Sequence, residues 1–166
     1  MASALDPIEP ERWWDEVVLP ALLGSARTTY GQAMRAALRR AGFDDMPPRG
    51  MGVVGGIARN GPAAQQELPR FLSTSKQSAS QLVESLVQRG YVERSEDPDD
   101  RRRVVLTLTE RGREAAALTA GAHDRIEAAL AHHVSPSDLA ATRRVLGTLS
   151  VMGDRARARA RAAQED

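Results

Sequence analysis

The fold is decided by Ser75-Lys76-Gln77-Ser78-Ala79-Ser80-Gln81-Leu82-Val83-Glu84-Ser85-Leu86-Val87-Gln88-Arg89-Gly90. Ala79, Leu82, Val83, Leu86 and Val87 recur at three- and four-residue spacing, which predicts a helix running to Arg89 with one buried stripe. Ser75 suits its N-cap, and Gly90 its C-terminal stop. Lys76, Gln77, Ser80, Gln81, Glu84 and Gln88 fall off the stripe and form a polar face. Upstream, residues 64–72 read as a short helix, joined through the tight connection Leu72-Ser73-Thr74. Downstream, Tyr91-Val92-Glu93-Arg94 reads as a strand and Asp97-Pro98-Asp99-Asp100 as a turn. Arg103 to Leu108 is a second strand, with Val104, Leu106 and Leu108 on one face. Helix, tight turn, helix, hairpin is the order of a winged helix-turn-helix.

The chemistry of the second helix fits the major groove of DNA. A helix seated there buries an apolar stripe on its own protein and presents short polar or basic side chains at its N-terminal end. Ser73, Thr74, Ser75, Lys76, Gln77, Ser80 and Gln81 supply that set. Glutamine bonds adenine with two hydrogen bonds, lysine reaches guanine or phosphate, and hydroxyls anchor the backbone. The hairpin adds Arg94 and, beside Asp97, Asp99 and Asp100, the run Arg101-Arg102-Arg103. An extended arginine suits the negative potential of a narrow minor groove. The opposing reading is a solvated helix face and a charge-compensated turn. Charge does not separate the two, since residues 63–113 carry nine basic and eight acidic side chains.

Outward from this core, residues 1–10 read as an arm. Residues 11–41 read as helical, with Trp14, Val17, Val18, Ala21 and Leu22 on one face; Pro20 is expected to kink or split the stretch, and Gly42 to end it. Gly50, Gly52 and Gly55 spell a G-x-G-x-x-G, but Pro47-Pro48-Arg49 precedes it where a dinucleotide-binding turn needs a strand. A helix over 48–59, whose glycines admit close neighbours, is expected instead. Thr109 is expected to cap a helix from Glu110 to about His133. Ser135-Pro136-Ser137-Asp138 then opens a last helix carrying Leu139, Leu146, Leu149 and Met152.

Composition removes several functions. The 166 residues include no cysteine, which excludes disulfides, thiolate metal sites and thiol chemistry. Only His123, His132 and His133 offer imidazoles. No Ser-His-acid set or carboxylate pair has motif context, so no enzyme, metal or cofactor is expected. No apolar run approaches the roughly 20 residues of a membrane span. Asp6, Glu9 and Glu11 replace the basic segment of a secretory signal. The expectation is a soluble, cytoplasmic protein.

The segment Ser75–Val83, the run Leu86-Val87-Gln88-Arg89-Gly90-Tyr91-Val92-Glu93-Arg94, then Asp97-Pro98-Asp99-Asp100-Arg101-Arg102 and Leu108-Thr109-Glu110-Arg111-Gly112 resemble the MarR family of transcription regulators. Two positions depart from its pattern. Pro69 falls inside the first motif helix, and Ala64 stands where a Ser or Thr cap is common. The resemblance implies a mainly α fold with a small β-hairpin wing. Residues 1–45 become an N-terminal arm and dimerisation helix, 46–113 the winged helix-turn-helix, and 114–166 the C-terminal dimerisation helices. It further implies a homodimer on double-stranded DNA, acting as a repressor relieved by a small, often aromatic or phenolic, effector. Arg102 matches the wing arginine that enters the minor groove, and Asp100 the acid that orients it. Candidate effector contacts are Trp13, Tyr30, Met34, Met51 and His123, each of which also reads as ordinary core. The rival reading is a winged-helix module that contacts protein and binds no specific DNA.

Overall fold

A computed structural model of the chain describes residues 13–96 and 103–165. Its contacts divide it into two units, Arg12–Ile126 and one that includes Glu127–Asp166. After a 3-10 turn at Trp13–Glu16 come α1 (Leu19–Arg40), α2 (Gly50–Asn60), β1 (Ala63–Ala64) and a second 3-10 turn at Gln65–Glu67. Then follow α3 (Leu68–Phe71), α4 (Lys76–Gln88), β2 (Val92–Glu96), β3 (Val104–Leu108), α5 (Glu110–Leu130) and α6 (Pro136–Glu165). The fold is mainly helical with one small antiparallel sheet, ordered β1-β3-β2.

Both prolines act where their missing N–H costs least. Pro20 sits in the first turn of α1, so the first stretch is split into a 3-10 turn and a helix. Pro69 sits in the first turn of α3. The expected helix over 64–72 is consequently a 3-10 turn followed by a single α turn. Strand β1 was not expected. Alanine has little strand preference, and Ala63 and Ala64 are extended because the free edge of β3 pairs them with Leu106 and Val105. The G-x-G-x-x-G lies within α2. A methyl on Gly50 would stand 2.8 Å from Met46 Sδ and 2.9 Å from a Leu86 methyl, whereas Gly52 and Gly55 have open space.

Three helices end in the same way. At the end of α1 the Gly42 N–H bonds Arg39 O and the Phe43 N–H bonds Leu38 O. At the end of α4 the Gly90 N–H bonds Val87 O and the Tyr91 N–H bonds Leu86 O. At the end of α3 the Ser73 N–H bonds Arg70 O and the Thr74 N–H bonds Pro69 O. This is the Schellman pattern, which needs a left-handed residue just past the helix. Gly42 and Gly90 supply it at φ 81° and 70°, and Ser73 supplies it at 48°. In the first two the apolar pair that accompanies the pattern, Leu38 with Phe43 and Leu86 with Tyr91, lies in the buried core.

Tyr91 is the junction of the first unit. Its ring is fully buried, and its hydroxyl donates to Asp45 Oδ1 at 2.6 Å. The Arg111 guanidinium also reaches Asp45 Oδ1, at 2.7 Å, while lying 4.7 Å from the Tyr91 ring centre and 5.4 Å from that of Phe43. The Tyr91 carbonyl accepts the Thr109 N–H at 3.3 Å. Thr109 caps α5 by accepting the Gly112 N–H at 3.0 Å, and its own hydroxyl bonds Gly90 O. The backbone of Gly112 comes so close that an added Cβ would lie 1.9 Å from Tyr91 O. The hydrogen bond from Tyr91, and then the charge of Arg111, hold the Asp45 carboxyl below its ordinary value against the opposing effect of burial.

The second unit is simpler. Ser135 caps α6 by accepting the Asp138 N–H at 3.1 Å and donating to the Asp138 carboxylate. Arg143 pairs with Glu127. Along the 30 residues of α6 no described side chain is buried, and Val145, Leu149, Val151 and Met152 are exposed.

Two outcomes are expected. Gly112→Ala forces backbone apart and lowers stability to urea by about 3 kcal/mol. Tyr91→Phe costs about 1 kcal/mol at neutral pH and also changes the acid limb. Ionised Asp45 stabilises the fold above the ordinary carboxylate range, and this contribution is lost as pH falls through its depressed folded value. Without the hydroxyl, the stability loss on acidification below about pH 4 becomes shallower.

Candidate nucleic-acid interface

Helix α4 is built as its sequence dictates. Ala79, Val83 and Leu86 are buried, with Leu82 and Val87 partly buried against the same core. Ser75 is its N-cap, with extended backbone and a side-chain oxygen that accepts the Ser78 N–H at 3.1 Å. Its hydroxyl proton goes to Ser78 Oγ at 3.0 Å. Ser73, Ser75, Lys76, Gln77, Ser80 and Gln81 are exposed together, and Thr74 is half-buried between them.

The turn before α4 is held from two sides. Ser73 takes the left-handed conformation that closes α3. The Arg49 guanidinium, at the start of α2, donates to Leu72 O at 2.6 Å. A groove of about 370 Å³ then runs between α4 and the base of the wing, bounded by Lys76, Ser80, Gln65, Gln66, Arg103 and Val104. Arg103 lies 3.6 Å from the Glu67 carboxylate. Arg94 does not extend outwards, since its guanidinium is engaged by Gln65 and Glu84. Asp100, Arg101 and Arg102 lie outside the described residues.

Two contributors escaped the sequence reading. Arg49 was read only as the residue before a glycine-rich helix, and nothing in the spacing links it to Leu72. Arg70, exposed on α3, has no carboxylate partner among the described residues, and the same is true of Lys76 on the other side of the turn. The short polar-and-basic signal used for α4 applies equally to Arg70.

The residues expected to meet an effector are dispersed. Tyr30 and His123 come together, with ring centres 5.2 Å apart. Met51 is half-buried against the core, Met34 is half-buried on α1, and the Trp13 side chain lies outside what is described. A cavity of about 510 Å³ lies within the first unit, lined by Ile57, Pro62, Leu108, Arg113, Ala116 and Ala120 among others, and by none of these four. Among the described residues no cluster of His, Asp or Glu is arranged to hold a metal ion. Among the described residues no helix is long and apolar enough to cross a membrane.

Residues 44–103, which span α2, the turn, α4 and β2, match the sequence model of the MarR family. Over this stretch the chain is similar to the MarR family. Over 58 residues it is 40% identical to the uncharacterized HTH-type transcriptional regulator YdcH of Bacillus subtilis (strain 168). That alignment takes in 35% of this chain and 40% of YdcH, so the chain spans about two fifths of that relative's length. The MarR-like architecture extends further than the sequence match. Streptococcus pneumoniae FabT, crystallised in complex with DNA, superposes with a TM-score of 0.69 at 21% identity, over 82% of this chain and 95% of FabT. The crystal structure of MarR superposes with a TM-score of 0.66 at 24% identity, over 86% of this chain and 95% of MarR.

A serine held left-handed carries a steric cost of roughly 1 kcal/mol that glycine does not. Ser73→Gly is therefore expected to raise the melting temperature by a few degrees, measured by differential scanning calorimetry.

Proposed function

We propose that this chain is a homodimeric, sequence-specific DNA-binding transcription regulator. In this reading α4 enters the major groove and the wing reaches the neighbouring minor groove. The observation that carries it is the joint exposure of Ser73, Ser75, Lys76, Gln77, Ser80 and Gln81 around one capped helix start. That architecture is shared with FabT, which has been crystallised on DNA. Gln77 is assigned base readout, Lys76 guanine or phosphate, and Ser73, Thr74 and Ser75 the backbone. Arg101, Arg102 and Arg103 belong to the wing contact, with Asp100 orienting Arg102.

Dimerisation is supported by the exposed apolar side chains of α6, and by Trp14 in the first 3-10 turn with Val18 and Leu19 where α1 begins. A two-fold dimer sets its half-sites about 10–10.5 base pairs apart. Repression relieved by a small ligand is the finer part of the reading. The 510 Å³ cavity supports it, because its largely apolar walls, from Ile57, Pro62, Leu108, Ala116 and Ala120, suit an apolar body. Such a ligand releases DNA only if it binds more tightly to a conformation that cannot bind DNA.

The test is a titration of the full chain with duplex DNA. Non-specific binding is expected at low salt, falling steeply as salt rises, by a log–log slope of about 0.9 for each phosphate neutralised. On an inverted repeat, two chains bind per site, and Gln77→Ala loses about 1–3 kcal/mol of base discrimination per half-site. A chain that binds no duplex at low salt is instead the protein-contact module.

A further inference from the structure

Arg94 belongs to the set that the sequence assigns to DNA, yet its guanidinium already has partners on two other segments. Nε donates to Gln65 Oε1 at 3.1 Å, and Nη2 donates to Glu84 Oε2 at 3.0 Å. The other oxygen of Glu84 accepts from Gln88 Nε2 at 3.2 Å. Gln65 lies in the turn that leads into α3, Glu84 and Gln88 on the polar face of α4, and Arg94 in β2 opposite Leu106 of β3. One side chain thus ties both parts of the helix-turn-helix to the wing.

The charge arrangement matters as much as the geometry. Glu84 lies about one helical turn beyond Ser80 and Gln81 on the same polar face. A carboxylate there repels phosphate, and the Arg94 cation 3.0 Å away compensates it. We infer that Arg94 is a positioning residue, which fixes α4 against β2 and the Gln65–Glu67 turn and neutralises Glu84, and that it makes no phosphate contact of its own. The inference rests on the DNA-binding reading above and reassigns one of its residues.

A guanidinium holds two acceptors in a fixed fork, whereas an ammonium is a compact point charge. Lysine therefore preserves a phosphate contact but breaks the double tie. The experiment uses the full chain and a random-sequence duplex, with affinity measured across a salt series for wild type, Arg94→Ala, Arg94→Lys, Glu84→Ala and the double variant Arg94→Ala/Glu84→Ala. Arg94→Ala and Arg94→Lys are both expected to bind about fivefold to tenfold more weakly, the effect of losing one charge-assisted hydrogen bond. The slope of affinity against salt is expected to stay that of wild type. In the Arg94→Ala background Glu84→Ala recovers part of the loss, because it removes an acid left without its cation but does not rebuild the tie; in the wild-type background it brings no gain. Wild-type affinity in Arg94→Lys, or a slope reduced by about one unit in Arg94→Ala, overturns the inference, as does an equal effect of Glu84→Ala in both backgrounds. Absence of duplex binding by the wild-type chain is a different result, because it removes the DNA-binding reading itself.

Discussion

The backbone of Gly112 pressed against the carbonyl of Tyr91 is the constraint around which the first unit is organised. It brings the start of α5 onto the end of α4 at a distance no side chain permits. Everything else at this junction follows from that closeness. Tyr91 sends its N–H back to Leu86, takes the Thr109 N–H on its carbonyl, and extends its hydroxyl to Asp45. Three segments separated in sequence, the loop after α1, the start of β2 and the first turn of α5, therefore share one buried ring. The Arg111 guanidinium stacks over that ring and bonds the same carboxylate, so a charged pair at half-exposed depth is fixed by aromatic contact as much as by Coulomb attraction. Helix α4 is positioned from its C-terminal end through this junction, and from its N-terminal end by Ser73 and Arg49.

Much of this was legible because the signals were local. The apolar spacing of α4, its Ser75 cap, the stops at Gly42 and Gly90, and the caps at Thr109 and Ser135 each depend on residues within one or two turns. Pro69 was seen to fall inside the helix expected over 64–72, but that α3 begins beside it, in the first turn where a proline is tolerated, was not read. What escaped the sequence was carried by distant partners. Ala63 and Ala64 form a strand only because β3 has a free edge there. Ser73 adopts a glycine conformation because the α3–α4 turn demands it, and serine gives little local sign of that. The reach of Arg49 to Leu72 spans 23 residues, and that of Asp45 to Tyr91 spans 46.

The candidate interface shows the same division. The polar start of α4 was visible residue by residue, because a helical face is set by periodicity alone. The arginines were harder to sort. A long cationic side chain reads identically in sequence whether it points to a ligand or crosses to a neighbouring carboxylate. Arg94 and Arg103 both find acids contributed by the helix-turn-helix, Glu84 and Glu67. Neither pairing is implied by their spacing.

Under the proposed DNA-binding role, that sorting explains how a domain of nearly balanced charge suits a polyanion. Net charge averages over cations that are already engaged and cations that are available. Here Arg94, Arg103, Arg111 and Arg113 each face a carboxylate of their own domain, which converts them from sources of external field into ties between elements. Arg70 and Lys76 have no such partner among the described residues, and they flank the turn on either side. Glu84, Glu67, Asp45 and Glu110 thus lower the overall charge where arginines hold the fold together, while Lys76 keeps its charge where α4 begins. At that end the unsatisfied N–H groups of the helix add to it. A carboxylate introduced near Lys76 therefore does more to oppose a phosphate than the several already present, because those are locally neutralised and it is not.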